Sequence, residues 1–334
     1  MSEKRAGTWR ARIARTVRLG LLGMLLAAAG VAQATCTASS SSVSLGTISS
    51  LALINTAQGN YGAAGVACTG GLTLLGGSYV RVMLDQAVLT LTNGGYSIPF
   101  TVGTSNSPAS NLQNGAITDI NTLNVVALGG SQSGIGLYFN VPLGPNVQAG
   151  TYTGTVNFRW YYAICDGGVL VACAWARTPG LTQSCIANLC GAVTAWGTGS
   201  PTQATVTLVV TKSCLINTAT MNIDFGTKAF INQFTKVTQT VNVTCTNNEG
   251  YAVSFDNGGN YAAPWRRMLA NASDYMNYNL YQPNTTVVWN AAQPMTFLGT
   301  GAAQNFTFDA IVDPTQANKP VGAYVDNVTM TLSY

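Results

Sequence analysis

The feature that most constrains this chain is an internal repeat. Cys36 and Cys68 in the first half recur, at nearly the same separation, as Cys214 and Cys245 in the second. Pro142 precedes Gly150-Thr-Tyr152 by the interval at which Pro314 precedes Gly322-Ala-Tyr324. A fixed period of this kind marks one module written twice in tandem. The two copies end differently. After its Gly-x-Tyr strand the first runs on through a Cys- and Gly-rich stretch to another strand-like run over 204–211, whereas the second closes at Tyr334. The second copy is therefore expected to be one strand short.

Residues 1–34 read as an export signal. Lys4, Arg5, Arg10, Arg12, Arg15 and Arg18 form a basic leader, 19–29 a short apolar run, and Ala32-Gln-Ala34 a small-residue cleavage site. The apolar run is short for a membrane span, although an uncleaved anchor is the competing reading. No arginine pair precedes the run, which favours general secretion over the twin-arginine route. Six of the fifteen basic residues and one of the eleven acidic ones fall in this segment. The remainder carries nine basic against ten acidic residues, so the formal +4 of the whole chain becomes about −1. The cations left over are scattered, and nucleic acid is not an expected partner.

Past the signal the chain is rich in Thr, Ser, Asn, Gly, Val and Tyr, with Glu249 its only glutamate. Alternating apolar and polar runs broken by Gly, Asn and Pro recur throughout, which predicts an all-β fold. In the first copy Tyr152, Val156, Phe158 and Trp160 share one face of a strand. In the second, Tyr324, Asp326, Val328, Met330, Leu332 and Tyr334 alternate with polar residues. The apolar face of Val328, Met330, Leu332 and Tyr334 needs a neighbour that no following residues supply, so these four are predicted to line an open groove. Lys212-Ser213 marks the junction, giving expected domains over 35–212 and 213–334. Only Thr35 separates the cleavage site from Cys36, so almost no chain is expected ahead of the first copy.

All eight cysteines follow the signal, which fits disulfides made in an oxidising compartment. The repeat assigns Cys36 to Cys68 and Cys214 to Cys245. Cys165, Cys173, Cys185 and Cys190 admit three pairings, among which the sequence does not choose. A zinc site competes poorly, because these spacings contain no CxxC and the chain has no histidine. That lack also removes Ser-His-Asp and Cys-His systems, so no catalytic, cofactor or metal residue is assigned and no enzyme is expected. Asp309 and Asp313 read as strand and turn residues. The excursion over 161–201 is unusually apolar for a loop, with Ile164, Val169, Leu170, Val171 and Trp175. These residues are candidates for an adhesive surface braced by cysteines, or else for a small core beneath their own loop.

Asp224-Phe-Gly226, Val243-Thr-Cys245-Thr246, Tyr251, Gly258-Gly259, Arg267-Met268, Tyr278-Asn-Leu-Tyr281, Trp289 and 322–328 with a terminal Tyr334 together resemble the spore coat protein U domain, found in pilins of the archaic (Csu-type) chaperone–usher class. The likeness covers the second copy. The first is a degenerate relative that keeps Leu45-Gly46, Cys68-Thr69 and Gly150-Thr-Tyr152. The resemblance implies two tandem immunoglobulin-like β-sandwiches, the C-terminal one lacking its last strand. Its implied partners are a periplasmic pilus chaperone, an outer-membrane usher and an adjacent pilin subunit that donates the strand. It further implies a non-enzymatic two-domain tip adhesin, exported through the periplasm to the fimbrium, mediating cell adhesion and biofilm formation through an unknown surface or host ligand. A structural spore-coat or extracellular matrix protein with the same domain is the alternative.

Overall fold

A computed structural model describes residues 35–69, 78–120, 124–129, 132–166, 174–186, 189–218 and 220–334. The export signal, Cys173 and the Val169–Val171 run lie outside them. The fold is nearly all β, as the alternation predicts, and among the described residues its helical parts are one short α-helix, α1 (Ser50–Leu53), and two 3-10 turns, Pro108–Ser110 and Ile231–Gln233. The first copy pairs two sheets. In one, β1 (Cys36–Ala38), β3 (Gln58–Thr69), β10 (Gln132–Val141) and β7 (Thr101–Gly103) follow in order, and β9 (Asn124–Gly129) joins β10. In the other, the order is β2 (Ser41–Ser49), β15 (Ser200–Thr211), β11 (Gly150–Asp166), β4 (Tyr79–Leu84) and β8 (Ile117–Asp119). The hairpin of β5 (Thr90–Asn93) and β6 (Tyr96–Pro99) and the strand β12 (Ala174–Arg177) flank β11, while β13 (Thr182–Ile186) and β14 (Leu189–Ala195) form a separate hairpin.

The second copy repeats the plan with fewer strands. One sheet runs β16 (Cys214–Ile216), β17 (Val237–Cys245), β22 (Ala303–Val312), β20 (Asp274–Tyr281) and β19 (Arg266–Ala270). The other has three strands, β21 (Met295–Leu298), β18 (Gly250–Phe255) and β23 (Met330–Ser333). Each copy has its own apolar core, around Phe139, Phe158 and Trp160 in the first and Phe255, Trp289 and Phe308 in the second. A core tryptophan satisfies its indole N–H on a backbone carbonyl in both, Trp160 on Ala64 at 2.8 Å and Trp289 on Val253 at 2.7 Å.

The repeat-assigned disulfides are present, Cys36–Cys68 and Cys214–Cys245, each stapling a first strand to its neighbour at a directly paired position. Of the four undecided cysteines, Cys185 and Cys190 bond to one another across the β13–β14 hairpin. Cys165 is also disulfide-bonded. The copies touch through Ser50 Oγ and Thr246 Oγ1 at 2.6 Å, and through Asn146, whose Nδ2 donates to Gly301 O at 3.1 Å. At the junction, Lys212 Nζ pairs with Glu249 at 2.9 Å and Ser213 N donates to Thr246 Oγ1 at 2.7 Å.

Three sequence expectations change. The excursion after Tyr161 is not irregular at its start, because β11 continues to Asp166 and β12–β14 follow. Ile164 is accordingly no adhesive loop residue: it is a β11 side chain with no exposure in the first core. Asp309 is a strand residue as expected but is buried, accepting hydrogen bonds from Thr238 Oγ1 at 2.7 Å and Lys236 Nζ at 3.1 Å. The Thr238 hydroxyl and the Lys236 ammonium hold its carboxyl below the usual carboxylate range against the effect of burial.

Candidate functional site

The two copies differ at their closing strands. In the first, β11 lies between β4 and β15, with Phe158 opposite Leu84 and Trp160 opposite Val82. β15 runs antiparallel to β11 from Gly150↔Val210 to Trp160↔Ser200 and parallel to β2 on its other side. Ala204, Val206, Leu208 and Val210 of β15 complete the core, and Tyr152, Val156, Phe158 and Trp160 beside them are buried.

In the second copy β23 takes the place of β11 in the same register, with Met330 opposite Phe255 and Leu332 opposite Val253. Among the described residues its other edge pairs with no strand. Tyr324, Val328, Met330 and Leu332 sit where the four buried residues of β11 sit, yet all four are only half-buried. Tyr334, just beyond β23, is 57% exposed. On the far rim Met221, Ile223 and Phe225 alternate with exposed neighbours and are also half-buried, where Val43 and Leu45 of β2 are fully buried. Gly46, within β2, and Gly226, just past Phe225, both have positive φ, 85° and 73°. Two half-covered apolar rows thus hold the positions that flank β15 in the first copy. Beside the end marked by Phe225 and Tyr324 the surface deepens into a cleft of about 390 Å³ lined by Ile223, Phe234, Met268 and Met276.

The groove wall is held from behind by polar contacts. Tyr324 Oη donates to Pro320 O at 2.9 Å, as Tyr152 Oη does to Gln148 O at 2.7 Å, fixing how the chain enters each closing strand. Asp256 Oδ1 accepts from the N–H groups of Gly258 and Thr329, both at 3.0 Å. Burial pushes this carboxyl up, but those N–H donors win and hold it below its ordinary value. Asp326 accepts from Tyr278 Oη at 2.7 Å and Gly259 N at 2.9 Å. Burial, and then that bond to Asp326, push the Tyr278 hydroxyl far up, so it stays a donor. Arg266, with no exposed surface, crosses the core end to donate to Asp256 O at 2.6 Å and Trp289 O at 2.8 Å, tying three segments together. Burial lowers its pKa. Sequence reading singled out Arg267, which instead stacks on Tyr275 at 4.1 Å. Two adjacent arginines look alike until strand parity decides which faces inward.

The proposed adhesive residues separate. Trp175 is half-buried on β12, with the Arg177 guanidinium 5.2 Å from its ring. Val169, Leu170 and Val171 are outside the described residues. The Cys185–Cys190 hairpin carries Ile186, 81% exposed, at its end. Arg177 Nη2 donates to both cystine sulfurs, at 3.4 and 3.2 Å. Nearby Trp196 has Arg81 over its face at 4.1 Å and Tyr79 at its edge. This Arg–Trp pair joins residues far apart in sequence, which no local pattern signals. Among the described residues no group of three or more His, Cys, Asp or Glu lies close enough to hold a metal ion.

Residues 200–331 match the Spore Coat Protein U domain model. No curated protein matches the chain. Among solved structures it is similar to the chaperone–tip adhesion subunit pre-assembly complex of the archaic chaperone-usher Csu pili of Acinetobacter baumannii. The identity is 21% and the TM-score 0.64, over 90% of this chain and 100% of that one. The adhesive subunit of CFA/I fimbriae of enterotoxigenic Escherichia coli aligns more loosely, at 9% identity and TM-score 0.37, over 89% of this chain and 92% of that one. With its strand order, paired cystines and matched motifs, the second copy is similar to the Spore Coat Protein U domain, and it follows a first copy built on the same immunoglobulin-like plan.

Proposed function

We propose that the chain is a non-enzymatic subunit of a chaperone–usher pilus, exported through the periplasm, whose second domain accepts a strand from an adjacent subunit. The observation that carries this is the contrast between β11, paired with β15 from Gly150 to Trp160, and β23, which among the described residues pairs with β18 alone. The likeness to the Csu tip subunit supports the reading at the level of fold. A donor inserting four or five apolar side chains between the two rims gains roughly 6–15 kcal/mol before ordering costs, at about 1.5–3 kcal/mol each. Left open, the same edge is an aggregation site, which gives a periplasmic chaperone its task and the usher a primed substrate.

The first domain, in which β15 fills the place between β11 and β2, is the adhesive end of this subunit, read as a pilus tip, and meets its partner domain at Lys212-Ser213. Its contact surface is centred on the Cys185–Cys190 hairpin and the neighbouring excursion, where Ile186 and Trp175 are held by disulfide and arginine contacts. The test is co-expression of the chain with the chaperone of a pilus system and, separately, addition of a pilin donor peptide. A one-to-one chaperone complex and a raised melting temperature for the second domain are expected. A chain that is monomeric alone and insensitive to both overturns the reading.

A further inference from the structure

Building on the open groove, we propose that Ser200–Thr211 is itself a donor strand, the leading segment of the second domain spent within the chain on the first. The Spore Coat Protein U match begins at Ser200, so it takes in the whole of β15. All of the sheet partners of β15 nevertheless belong to the first domain, β11 on one side and β2 on the other. Sequence assigns the strand to one domain and hydrogen bonding assigns it to the other.

The form of the strand agrees. β15 alternates buried Ala204, Val206, Leu208 and Val210 with Gln203, Thr205 and Thr207 facing outward, the pattern a strand needs to slot between two edges. It is reached through Gly197 and Gly199, both at positive φ, 68° and 70°, which swing the chain across the sandwich. It leaves through Lys212-Ser213 directly into β16. The place it fills in the first domain, between β11 and β2, is the place left open in the second between β23 and the 221–225 row. The segment ahead of the second domain is therefore engaged and not free to extend to another subunit. The side chains of β15 are also shaped to a copy of the module that carries the open groove.

Two experiments on the full chain test this. A labelled, photo-crosslinkable peptide with the sequence of residues 200–211 is added to the protein. One-to-one labelling of residues in 221–225 or 324–334 is expected, weakened at least tenfold by Leu208→Asp in the peptide. If a pilin donor peptide enters the groove and this peptide does not, β15 is an ordinary last strand and the inference fails while the groove stands. If neither enters, the groove itself is wrong. Second, a protease site is placed in the Gly197–Gly199 turn and cut in the folded protein. Pieces that co-elute without denaturant, with the first domain still folded, support a strand held by pairing alone. Pieces that separate at once overturn it.

Discussion

Phe158 and Met330 occupy equivalent places in the two domains, and the same truncation should cost very different amounts. Phe158 is 1% exposed and packs between Phe139 and Trp160, with ring centroids at 6.4 and 6.2 Å. Phe158→Ala removes a fully enclosed ring and should cost about 3–5 kcal/mol. Met330 is half-buried, so Met330→Ala should lose about half of the 2–5 kcal/mol of an enclosed methionine, roughly 1–2 kcal/mol. For a domain of this size that is a midpoint shift of roughly 4–8 °C. Adding a donor peptide changes only the second number, because the new strand encloses Met330, and the cost should climb to about 2–5 kcal/mol. The assay is urea unfolding of the oxidised full chain, wild type and both variants, with and without peptide, treated as a double-mutant cycle between Met330 and the peptide. Loss of a full core methionine's stability without peptide, together with no coupling to it, would refute the claim that this face awaits a strand.

Further outcomes follow from the same contacts. Trp289→Phe leaves the Val253 carbonyl buried without its donor and should destabilise the second domain by about 1–3 kcal/mol, read by urea unfolding. Replacing Cys214 and Cys245 by Ser should cost roughly 3–4 kcal/mol in the loop-entropy view. The same change at Cys185 and Cys190 should leave the first domain's midpoint nearly unmoved, because those residues join a hairpin outside both core sheets. Asp309 has its pKa depressed in the folded state, so the stability it contributes is present above its ordinary value of 3.8 and lost as pH falls through the depressed one. Acid titration of unfolding should therefore show a weaker drop in Asp309→Asn than in wild type, with the variant less stable at neutral pH.

Much of this molecule was legible in its sequence because covalent and periodic signals are local. The cystine spacing, the Gly-x-Tyr turns and the single parity of Val328, Met330 and Leu332 state that there are two copies and that the second presents an apolar face. Position in the chain also showed that 204–211 would serve the first copy, although the strand begins earlier, at Ser200, with Pro201 tolerated near its start. Other features needed three dimensions. Residues 161–165 lost their alternation not because the strand ends but because both of its faces are covered, and Ile164 became core for that reason. The fully buried Arg266, beside its half-buried neighbour Arg267, and the Arg81–Trp196 stack depend on which strands are brought side by side. Parity tells a residue which face it has. Only the packing of one sheet against another decides whether that face is covered, and by what, since covering is a property of the partner and not of the strand.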